Sequence, residues 1–314
     1  MEHRQRPGPA QGRQRAGGAR AVRRVARDPR AVSDRRLTPA NPRVAARWLQ
    51  GQVEAECFTD GEPARVVAPV ADLLAAPGGA RDRQLLLGAE VTVFERHEGW
   101  AFVQARADGY VGYLAERQLG PAQQATHRLA AAAGHLYDRP DFKTPDRALV
   151  SLGARLTVEG TEGRFSRTPD GWIASVHLVP LETTEADPVA VAARLMGTPY
   201  LWGGNSRSGV DCSGLVQLAC HACGWACPGD SDQQAETLGR PIDTAGPFRR
   251  GDLLFWKGHV AWVADPETIL HANAWHMAVA YEPLGAALRR IEAQGDGPLT
   301  GARRPGTNTE DRTD

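Results

Sequence analysis

Short apolar runs alternate with turn-forming residues in the first half of the chain, which is the pattern of antiparallel strands. Five such runs lie at residues 66–68, 84–87, 91–94, 100–103 and 110–114. Between the last two, Asp108-Gly109 is a dipeptide that favours a tight hairpin turn. The pattern predicts a small β-barrel over residues 64–122.

A second copy of this pattern follows directly. Leu-Gly-Ala-Glu-Val-Thr-Val at 87–93 recurs as Leu-Gly-Ala-Arg-Leu-Thr-Val at 152–158, and Asp-Gly-Tyr-Val at 108–111 recurs as Asp-Gly-Trp-Ile at 170–173. A solenoid needs about three repeats or more, so two copies favour two closed units in tandem. We therefore expect a second small barrel over residues 123–184.

The last third of the chain mixes helical and strand-like patterns. Asp187-Pro188 supplies an N-cap residue and a proline for a first helical turn. A glycine-rich loop at 198–204 then leads to Cys212 and to the apolar run 215–219, which is typical of a second helix. Strand-like runs follow at 252–256, 258–263 and 269–273. The fold class is α+β, with a catalytic domain predicted over residues 185–300.

The charge of the chain is balanced in total but uneven along its length. Residues 1–36 hold eleven Arg and three acidic residues, a net charge of +8, so the rest of the neutral chain carries −8. An acidic body argues against nucleic acid as a partner. Residues 1–35 contain no aromatic residue and should form a disordered basic tail. A wrongly assigned start ahead of residue 32 explains this tail better than a nucleic-acid arm, which would carry stacking side chains.

Two shorter segments complete the prediction. Residues 36–63 should be a helical segment that begins at Asn41-Pro42, and residues 301–314 should be a polar tail. No apolar run reaches the length of a membrane span, and no hydrophobic segment follows the first arginines as in a signal peptide. We expect a cytoplasmic protein with reduced thiols and without a membrane partner.

Cys212 and two histidines carry the candidate chemistry. A thiol at the start of a helix faces unpaired backbone N–H groups and the positive end of the helix dipole, which should lower its pKa. His259 and His271 lie in successive strand-like runs and would meet on neighbouring strands of one sheet. The set offers a nucleophile, a base and a group that orients the base. The alternative is a buried structural cysteine with two core histidines, and the combination favours catalysis.

The motifs around these residues resemble those of the NlpC family of cell-wall cysteine peptidases. Asp-Cys-Ser-Gly follows a Pro-Tyr-x-Trp-Gly-Gly loop and precedes Gly-Asp-Leu-x-Phe and Gly-His-Val, so the resemblance covers about residues 187–290. It implies a papain-like fold that needs no metal or organic cofactor. It also implies that Cys212 is the nucleophile, His259 the base and His271 the orienting residue, with Tyr200 near the oxyanion. Such enzymes usually cut γ-D-glutamyl-L-diamino acid bonds in murein peptides.

The two barrels resemble the bacterial SH3-like domains that precede the peptidase domain in one NlpC subgroup. There an Asp-Ser pair, matched by Asp230 and Ser231, contacts the free N-terminal amine and the D-Glu of the substrate. A Tyr and a Glu of the first barrel help to hold that amine. Tyr113 matches the Tyr, whereas the Glu falls on Ala89, one residue before Glu90. The residues alone leave other roles open, as a helix N-cap for Asp230 or Ser231 and as a barrel-core aromatic for Tyr113.

One other set of residues suggests a site. Cys220, His221, Cys223 and Cys227 have the side chains of a zinc site, but no second Cys or His pair follows, so we interpret them as core residues. With what the resemblance implies, we expect a cytoplasmic cysteine endopeptidase that recycles released murein peptides with a free N-terminal L-Ala. The alternatives are a secreted hydrolase of intact wall and a non-catalytic binding module built on a peptidase scaffold.

Overall fold

The computed structural model describes residues 34–306. The predicted basic tail lies outside the described residues except for its last two, Asp34 and Arg35. These two belong to an ordered turn, in which the N–H of Leu37 donates to the C=O of Asp34 at 3.0 Å. Among residues 34–306, no helix combines the length and the apolar composition that crossing a bilayer requires.

The predicted helical segment at residues 36–63 is wrong. Two short strands, β1 (Val44–Ala46) and β2 (Cys57–Thr59), pair in parallel, and only Arg47–Leu49 forms a short 3-10 turn. Oδ1 of Asn41 accepts from the backbone N–H groups of residues 43 and 44 at 2.9 Å each, which closes a turn and competes with a helix start. Val44 is then buried against the first barrel.

The first barrel is a seven-stranded antiparallel sheet. Its strands are β3 (Glu62–Val66), β4 (Val70–Leu74), β5 (Arg81–Leu86), β6 (Glu90–His97), β7 (Trp100–Ala105), β8 (Val111–Ala115) and β9 (Leu119–Pro121). They are ordered β5-β4-β8-β7-β6-β3-β9. Small and branched side chains such as Val66, Leu73, Val103 and Leu114 fill the interior. The predicted hairpin turn is confirmed, since Gly109 between β7 and β8 has a φ of +78°.

Residues 127–180 repeat this arrangement strand by strand. The strands are β10 (His127–Leu129), β11 (Ala133–Tyr137), β12 (Asp146–Ser151), β13 (Arg155–Leu156), β14 (Gly160–Glu162), β15 (Phe165–Thr168), β16 (Gly171–Ala174) and β17 (Leu178–Pro180). β10 pairs with β13 and β17 as β3 pairs with β6 and β9, and β11 pairs with β12 and β16 as β4 pairs with β5 and β8. The long β6 is represented here by the separate strands β13 and β14, so the unit contains two sheets.

The two repeated Leu-Gly-Ala motifs pack against each other. The N–H of Arg155 donates to the C=O of Leu87 at 2.9 Å, and Leu87 is buried in the core of the second unit. Gly88 has a φ of +78°, and a Cβ there would lie 2.0 Å from the C=O oxygen of Arg155. Both the backbone conformation and the close approach therefore require glycine at this position.

The last unit of the chain is an antiparallel sheet covered by helices. Its elements are α1 (Pro188–Ala193), β18 (Asn205–Ser206), β19 (Gly209–Val210), α2 (Cys212–Ala222), α3 (Ser231–Thr237), β20 (Arg240–Ile242), β21 (Leu253–Trp256), β22 (His259–Asp265), β23 (Thr268–Asn273), β24 (Ala278–Pro283), α4 (Leu284–Ala293) and β25 (Gly301–Arg304). The sheet order is β20-β25-β21-β22-β23-β24. α2 shares a buried apolar core with β22 and β23, which includes Leu215, Trp262 and Leu270. This packing brings the start of α2 to the sheet.

Two sequence predictions concern the ends of this unit. The cap of α1 is confirmed, because Oδ1 of Asp187 accepts from the N–H groups of Val189 and Ala190 at 2.9 and 3.2 Å. The predicted polar tail at 301–314 is wrong for its first residues, since β25 pairs with both β20 and β21. Residues 307–314 lie outside the described part of the chain.

Candidate active site

Cys212 is the first residue of α2 and is 5% exposed. The preceding residue, Asp211, caps the helix: its Oδ1 accepts from the N–H of Gly214 at 2.7 Å, and its Oδ2 accepts from the N–H of Gly203 at 2.8 Å. One carboxylate thus fixes both the glycine-rich loop and the first helical turn. A Cβ on Gly214 would lie 2.4 Å from the C=O oxygen of Gly204, so the loop packs directly on this turn.

The pKa of Cys212 moves in the direction opposite to the sequence prediction. Burial raises the pKa of the thiol to about 12, and the charge of Asp211 raises it further. The N–H groups of Val260, Ser213 and Cys212 lower the pKa, as expected of a helix start, but they do not outweigh burial. The capping carboxylate lies at the same helix end as the thiol and opposes the dipole. Cys212 therefore rests as a neutral thiol and needs a base.

Four side chains form a line of hydrogen bonds across β22, β23, β24 and α4. Nε2 of His259 lies 2.9 Å from Nδ1 of His271, and Nε2 of His271 lies 3.1 Å from Oε2 of Glu282. Arg290 holds Glu282 with two hydrogen bonds of 2.9 and 2.7 Å. The predicted pair of histidines is therefore in contact, and Glu282 and Arg290 extend it in a way that the sequence analysis missed.

The sheet register explains why Glu282 reaches His271. His271 is paired with Ala280 on β24, and Glu282 lies two residues further on, so its side chain projects from the same face. The signal in the sequence that could have identified Glu282 is its spacing of two residues, an even number, from Ala280, which lies opposite His271. That spacing becomes meaningful only when the register between β23 and β24 is known.

The charge of Glu282 fixes the tautomers of both histidines. Burial raises the pKa of Glu282, but hydrogen bonds from Arg290 and His271 outweigh it and hold that pKa at about 2. An ionised carboxylate only accepts, so Nε2 of His271 carries a proton and Nδ1 of His271 is an acceptor. His259 then donates through Nε2, which leaves its Nδ1 unprotonated. The base therefore presents a lone pair, as proton abstraction from a thiol requires.

The sulfur lies against the backbone on both sides of His259. Sγ of Cys212 is 4.0 Å from the C=O oxygen of Gly258, and the N–H of Val260 also faces it. Tyr200, half-buried in the glycine-rich loop, is close enough to Cys212 that this residue adds to burial in raising the pKa of its phenol. The structure thus brings Cys212, His259, His271 and Tyr200 together.

Acid should destabilise the fold through His259. Burial, with the charges of His271 and Arg290, lowers the pKa of His259 to about 3, from an ordinary value near 6.5. Between these values the unfolded chain binds more protons, so stability falls as the pH falls from 6.5. At pH 5 the loss from this one group is about 2 kcal/mol. Urea unfolding of wild type and His259→Gln at pH 7 and pH 5 should show a smaller loss in the variant, and equal losses would contradict the assignment.

Asp230 meets the first barrel through Tyr110 and not through Tyr113. The hydroxyl of Tyr110 donates to Oδ2 of Asp230 at 3.0 Å. The hydroxyl of Tyr113 instead accepts from the Asn41 side chain at 3.2 Å, and its ring packs on Phe102 with centroids 5.0 Å apart. Tyr110, and not the predicted Tyr113, is therefore the tyrosine of the first barrel that contacts Asp230. Positions 110 and 113 are an odd number of residues apart, so an extended chain directs them to opposite faces.

The loop of Asp230 is fixed to the first turn of α2. Asp230 precedes α3, Ser231 is its first residue, and no side-chain cap forms. Nε2 of the fully buried Gln234 donates to the C=O groups of Ser213 and Pro228 at 3.0 Å each. Ser213 follows Cys212 directly, so Asp230 and Ser231 have a defined position relative to Cys212.

Two other sets of residues that the sequence analysis considered lie elsewhere. Glu90 forms ion pairs with Arg106 at 3.6 Å and with Arg155 at 3.9 Å, where the two β units meet. The cysteines proposed as an alternative zinc set, Cys220, Cys223 and Cys227, are all buried, and the first and last belong to the apolar core around α2.

Comparisons with known proteins match two parts of the chain. Residues 197–288 match the model of the NlpC/P60 family, and residues 73–119 match the bacterial dipeptidyl-peptidase Sh3 domain. The first match contains Cys212, His259, His271 and Glu282, and the second contains Tyr110 and Tyr113.

Relatives and solved structures agree with these matches. The chain is 25% identical over 237 residues to the gamma-D-glutamyl-L-lysine dipeptidyl-peptidase of Bacillus cereus, covering 65% of this chain and 70% of that protein. It is 28% identical over 189 residues to the protein of the same name from Bacillus subtilis, covering 55% and 63%. The fold is similar to the crystal structure of an NlpC/P60 family protein from Bacillus cereus, with a TM-score of 0.66 at 23% identity over 77% of this chain and 99% of that chain.

Proposed function

We propose that this chain, a cysteine peptidase that combines an NlpC/P60 domain with an SH3-like domain, hydrolyses the γ-D-glutamyl-L-diamino acid bond of murein peptides. Two Bacillus relatives are named for the γ-D-glutamyl-L-lysine bond. The observation that carries the proposal is the hydrogen bond of 3.0 Å between Tyr110 of the SH3-like domain and Asp230 of the peptidase domain. This contact sets polar groups of a second domain beside the loop that leads from the catalytic helix.

Catalysis begins with the transfer of a proton. Nδ1 of His259 takes the proton of Cys212 as Sγ attacks the γ-carbonyl carbon of D-Glu, and the carbonyl oxygen becomes an oxyanion. The N–H of Cys212 at the helix start stabilises that oxyanion. The C–N bond then breaks, and the imidazolium of His259 gives its proton to the leaving amine. A water molecule, with His259 as base, hydrolyses the thioester and restores the thiol.

The hydrogen-bonded line of side chains supports the charge that forms in this step. Burial favours the neutral forms of both Cys212 and His259, so the ion pair arises only as sulfur attacks. His271 then accepts from the imidazolium, and the ionised Glu282 stabilises the positive charge through His271. Arg290 keeps Glu282 ionised and fixed in place.

The free amine of the N-terminal L-Ala binds at Asp230. We assign the acid of the SH3-like domain to Asp82, since the family's Glu falls on Ala89 in this sequence. The charge of Asp82 acts on Tyr110 and raises its pKa, and a Cβ on Gly203 of the glycine-rich loop would lie 2.7 Å from the C=O oxygen of Asp82. Both facts support this assignment, because Asp82 lies near Tyr110 and beside the loop before Cys212. Ser231 is assigned to the D-Glu part of the substrate.

Two wider inferences belong to the same proposal. Residues 123–184 form a second SH3-like barrel, because their strand pairings repeat those of residues 62–121. A requirement for a free amine suits peptides already released from the wall, so the enzyme recycles such peptides in the cytoplasm.

Product analysis tests the activity. Incubation with the free tripeptide L-Ala-γ-D-Glu-diaminopimelate should release L-Ala-D-Glu and diaminopimelate, whereas intact sacculi should release neither. Mass spectrometry of both reactions gives the result, with the Cys212→Ala protein as the control. Comparable release from sacculi would contradict recycling and favour a hydrolase of intact wall.

A further inference from the structure

The side chain of Arg36 joins three carboxylates from two distant parts of the chain. Its Nη1 donates to Oδ2 of Asp230 at 2.7 Å and to Oδ1 of Asp232 at 3.0 Å. Its Nη2 donates to Asp232 at 2.7 Å and to Asp34 at 2.8 Å, and its Nε donates to Asp34 at 3.0 Å. The hydrogen bonds to Asp232 and Asp34 raise the pKa of Arg36 above its usual range, so the guanidinium remains charged.

The backbone of Arg36 is held against the SH3-like domain. The N–H of Val111 donates to the C=O of Arg36 at 2.7 Å, and the neighbouring Tyr110 donates to the same oxygen of Asp230 that Arg36 contacts. Oδ1 of Asp34 accepts from the N–H of Arg36 at 2.9 Å and closes this segment into a turn. The N-terminal segment, the SH3-like domain and the peptidase domain therefore meet at one carboxylate.

The cluster of Arg36, Asp34, Asp230 and Asp232 has a net negative charge and one carboxylate oxygen that can accept a further hydrogen bond. Three carboxylates surround one guanidinium, which leaves two negative charges in excess. Oδ2 of Asp230 accepts from Arg36 and Tyr110, whereas no residue of the described range 34–306 donates to its Oδ1. A carboxylate has about four lone-pair sites, so Oδ1 can accept from a ligand. The Arg36 and Asp230 side chains are 24% and 26% exposed, which leaves this place accessible.

We infer that Arg36 is a positioning residue of the amine subsite, where it fixes the Asp230 carboxylate to receive the ammonium group of the substrate. This inference rests on the proposed function, since the ammonium belongs to the proposed peptide. The site is then incomplete without the N-terminal segment, although that segment lies outside both matched domains. The opposite interpretation is that the guanidinium occupies the place of the ammonium and blocks it. The hydrogen bonds to Asp34, from its own turn, favour a fixed residue over one that substrate displaces.

Kinetics of the full-length Arg36→Gln protein separate the two interpretations. A hydrogen bond to a charged group contributes enough that its loss should raise KM for the free tripeptide about tenfold or more, with kcat within about twofold. Arg36→Lys keeps the charge but lacks the planar fork, so its KM should rise less. Arg47→Gln is the matched control, because Arg47 pairs at 2.7 Å with the exposed Asp60 in the same segment. An unchanged KM in Arg36→Gln, or a lower one, overturns the inference.

A binding measurement separates this inference from the proposed function. Calorimetry with L-alanine amide on the Cys212→Ala protein needs no turnover, and adding Arg36→Gln should weaken the affinity about tenfold. If wild type fails to cut the tripeptide, the proposed function is refuted, and the calorimetry still decides the role of Arg36. Equal affinity with and without Arg36→Gln overturns that role.

Discussion

Replacing Cys212 by alanine should lower the hydrolysis of the free tripeptide by about four powers of ten or more, and His259→Ala should cause a loss of similar size. The two residues act as one unit, because the buried thiol stays neutral unless Nδ1 of His259 takes its proton. Initial rates with purified proteins, measured by product mass spectrometry, give the comparison. Cys57→Ala is the matched control, since Cys57 is an exposed thiol in another part of the chain.

Smaller losses of activity are expected for variants of His271 and Glu282, which follow His259 in the line of hydrogen bonds. In Glu282→Gln the side chain still hydrogen-bonds His271, but it no longer supplies the charge that stabilises the imidazolium. His271→Ala leaves space in which water can replace part of the hydrogen bond to His259. Both variants should keep more activity than His259→Ala. Near-normal turnover by a folded Cys212→Ala protein would contradict the mechanism.

Local sequence signals were sufficient for the elements that depend on neighbours in the chain. The cap at Asp187, the hairpin at Asp108-Gly109 and the helix that begins at Cys212 each depend on a few consecutive residues. The repeated Leu-Gly-Ala motifs likewise indicated a duplicated β unit. The contact of His259 with His271 followed from placing two adjacent runs in one antiparallel sheet.

The features that the sequence analysis missed depend on contacts between distant parts of the chain. The role of Glu282 depends on the register of β23 and β24, because a one-residue error would move its side chain to the other face of the sheet. Tyr110 and Tyr113 are equally aromatic, and only the docking of the SH3-like domain on the α3 loop distinguishes them. The apolar residues at 44–49 suited a helix, but burial against the first barrel and the turn at Asn41 favoured short strands.

The predicted direction of the Cys212 pKa shift was wrong for a related reason. The helix start was visible in the sequence, whereas the burial of Cys212 beneath the loop and strand β22 was not. Desolvation of a charged group outweighs a helix dipole when no solvent screens it. In this site, ionisation of the Cys212 thiol therefore depends more on the position of the base, His259, than on the position of the helix start.

N-acetylation of the tripeptide should lower kcat/KM by up to about four powers of ten. The amine of L-Ala is proposed to bind Oδ1 of Asp230 as an ammonium ion, and an amide at that place carries no positive charge. Binding the acetylated peptide would leave the excess negative charge around Asp230 unpaired in a partly buried site. Rates for L-Ala-γ-D-Glu-diaminopimelate and its N-acetyl form should be compared at equal concentration well below KM.

Two pairs of variants test which side-chain atoms discriminate between the free and the N-acetylated peptide. Tyr110→Phe removes the hydroxyl that donates to Asp230 and should raise KM for the free peptide, whereas Tyr113→Phe, whose hydroxyl contacts Asn41, should leave KM unchanged. Asp230→Asn should lower kcat/KM for the free peptide far more than Ser231→Ala does, because of these two residues only Asp230 carries a charge that offsets the ammonium. With Asp230→Asn, kcat/KM for the free and the N-acetylated peptide should also differ much less than with wild type. Similar rates for the two peptides with wild type would rule out the amine subsite and favour the hydrolysis of intact wall, whatever the effect of Cys212→Ala.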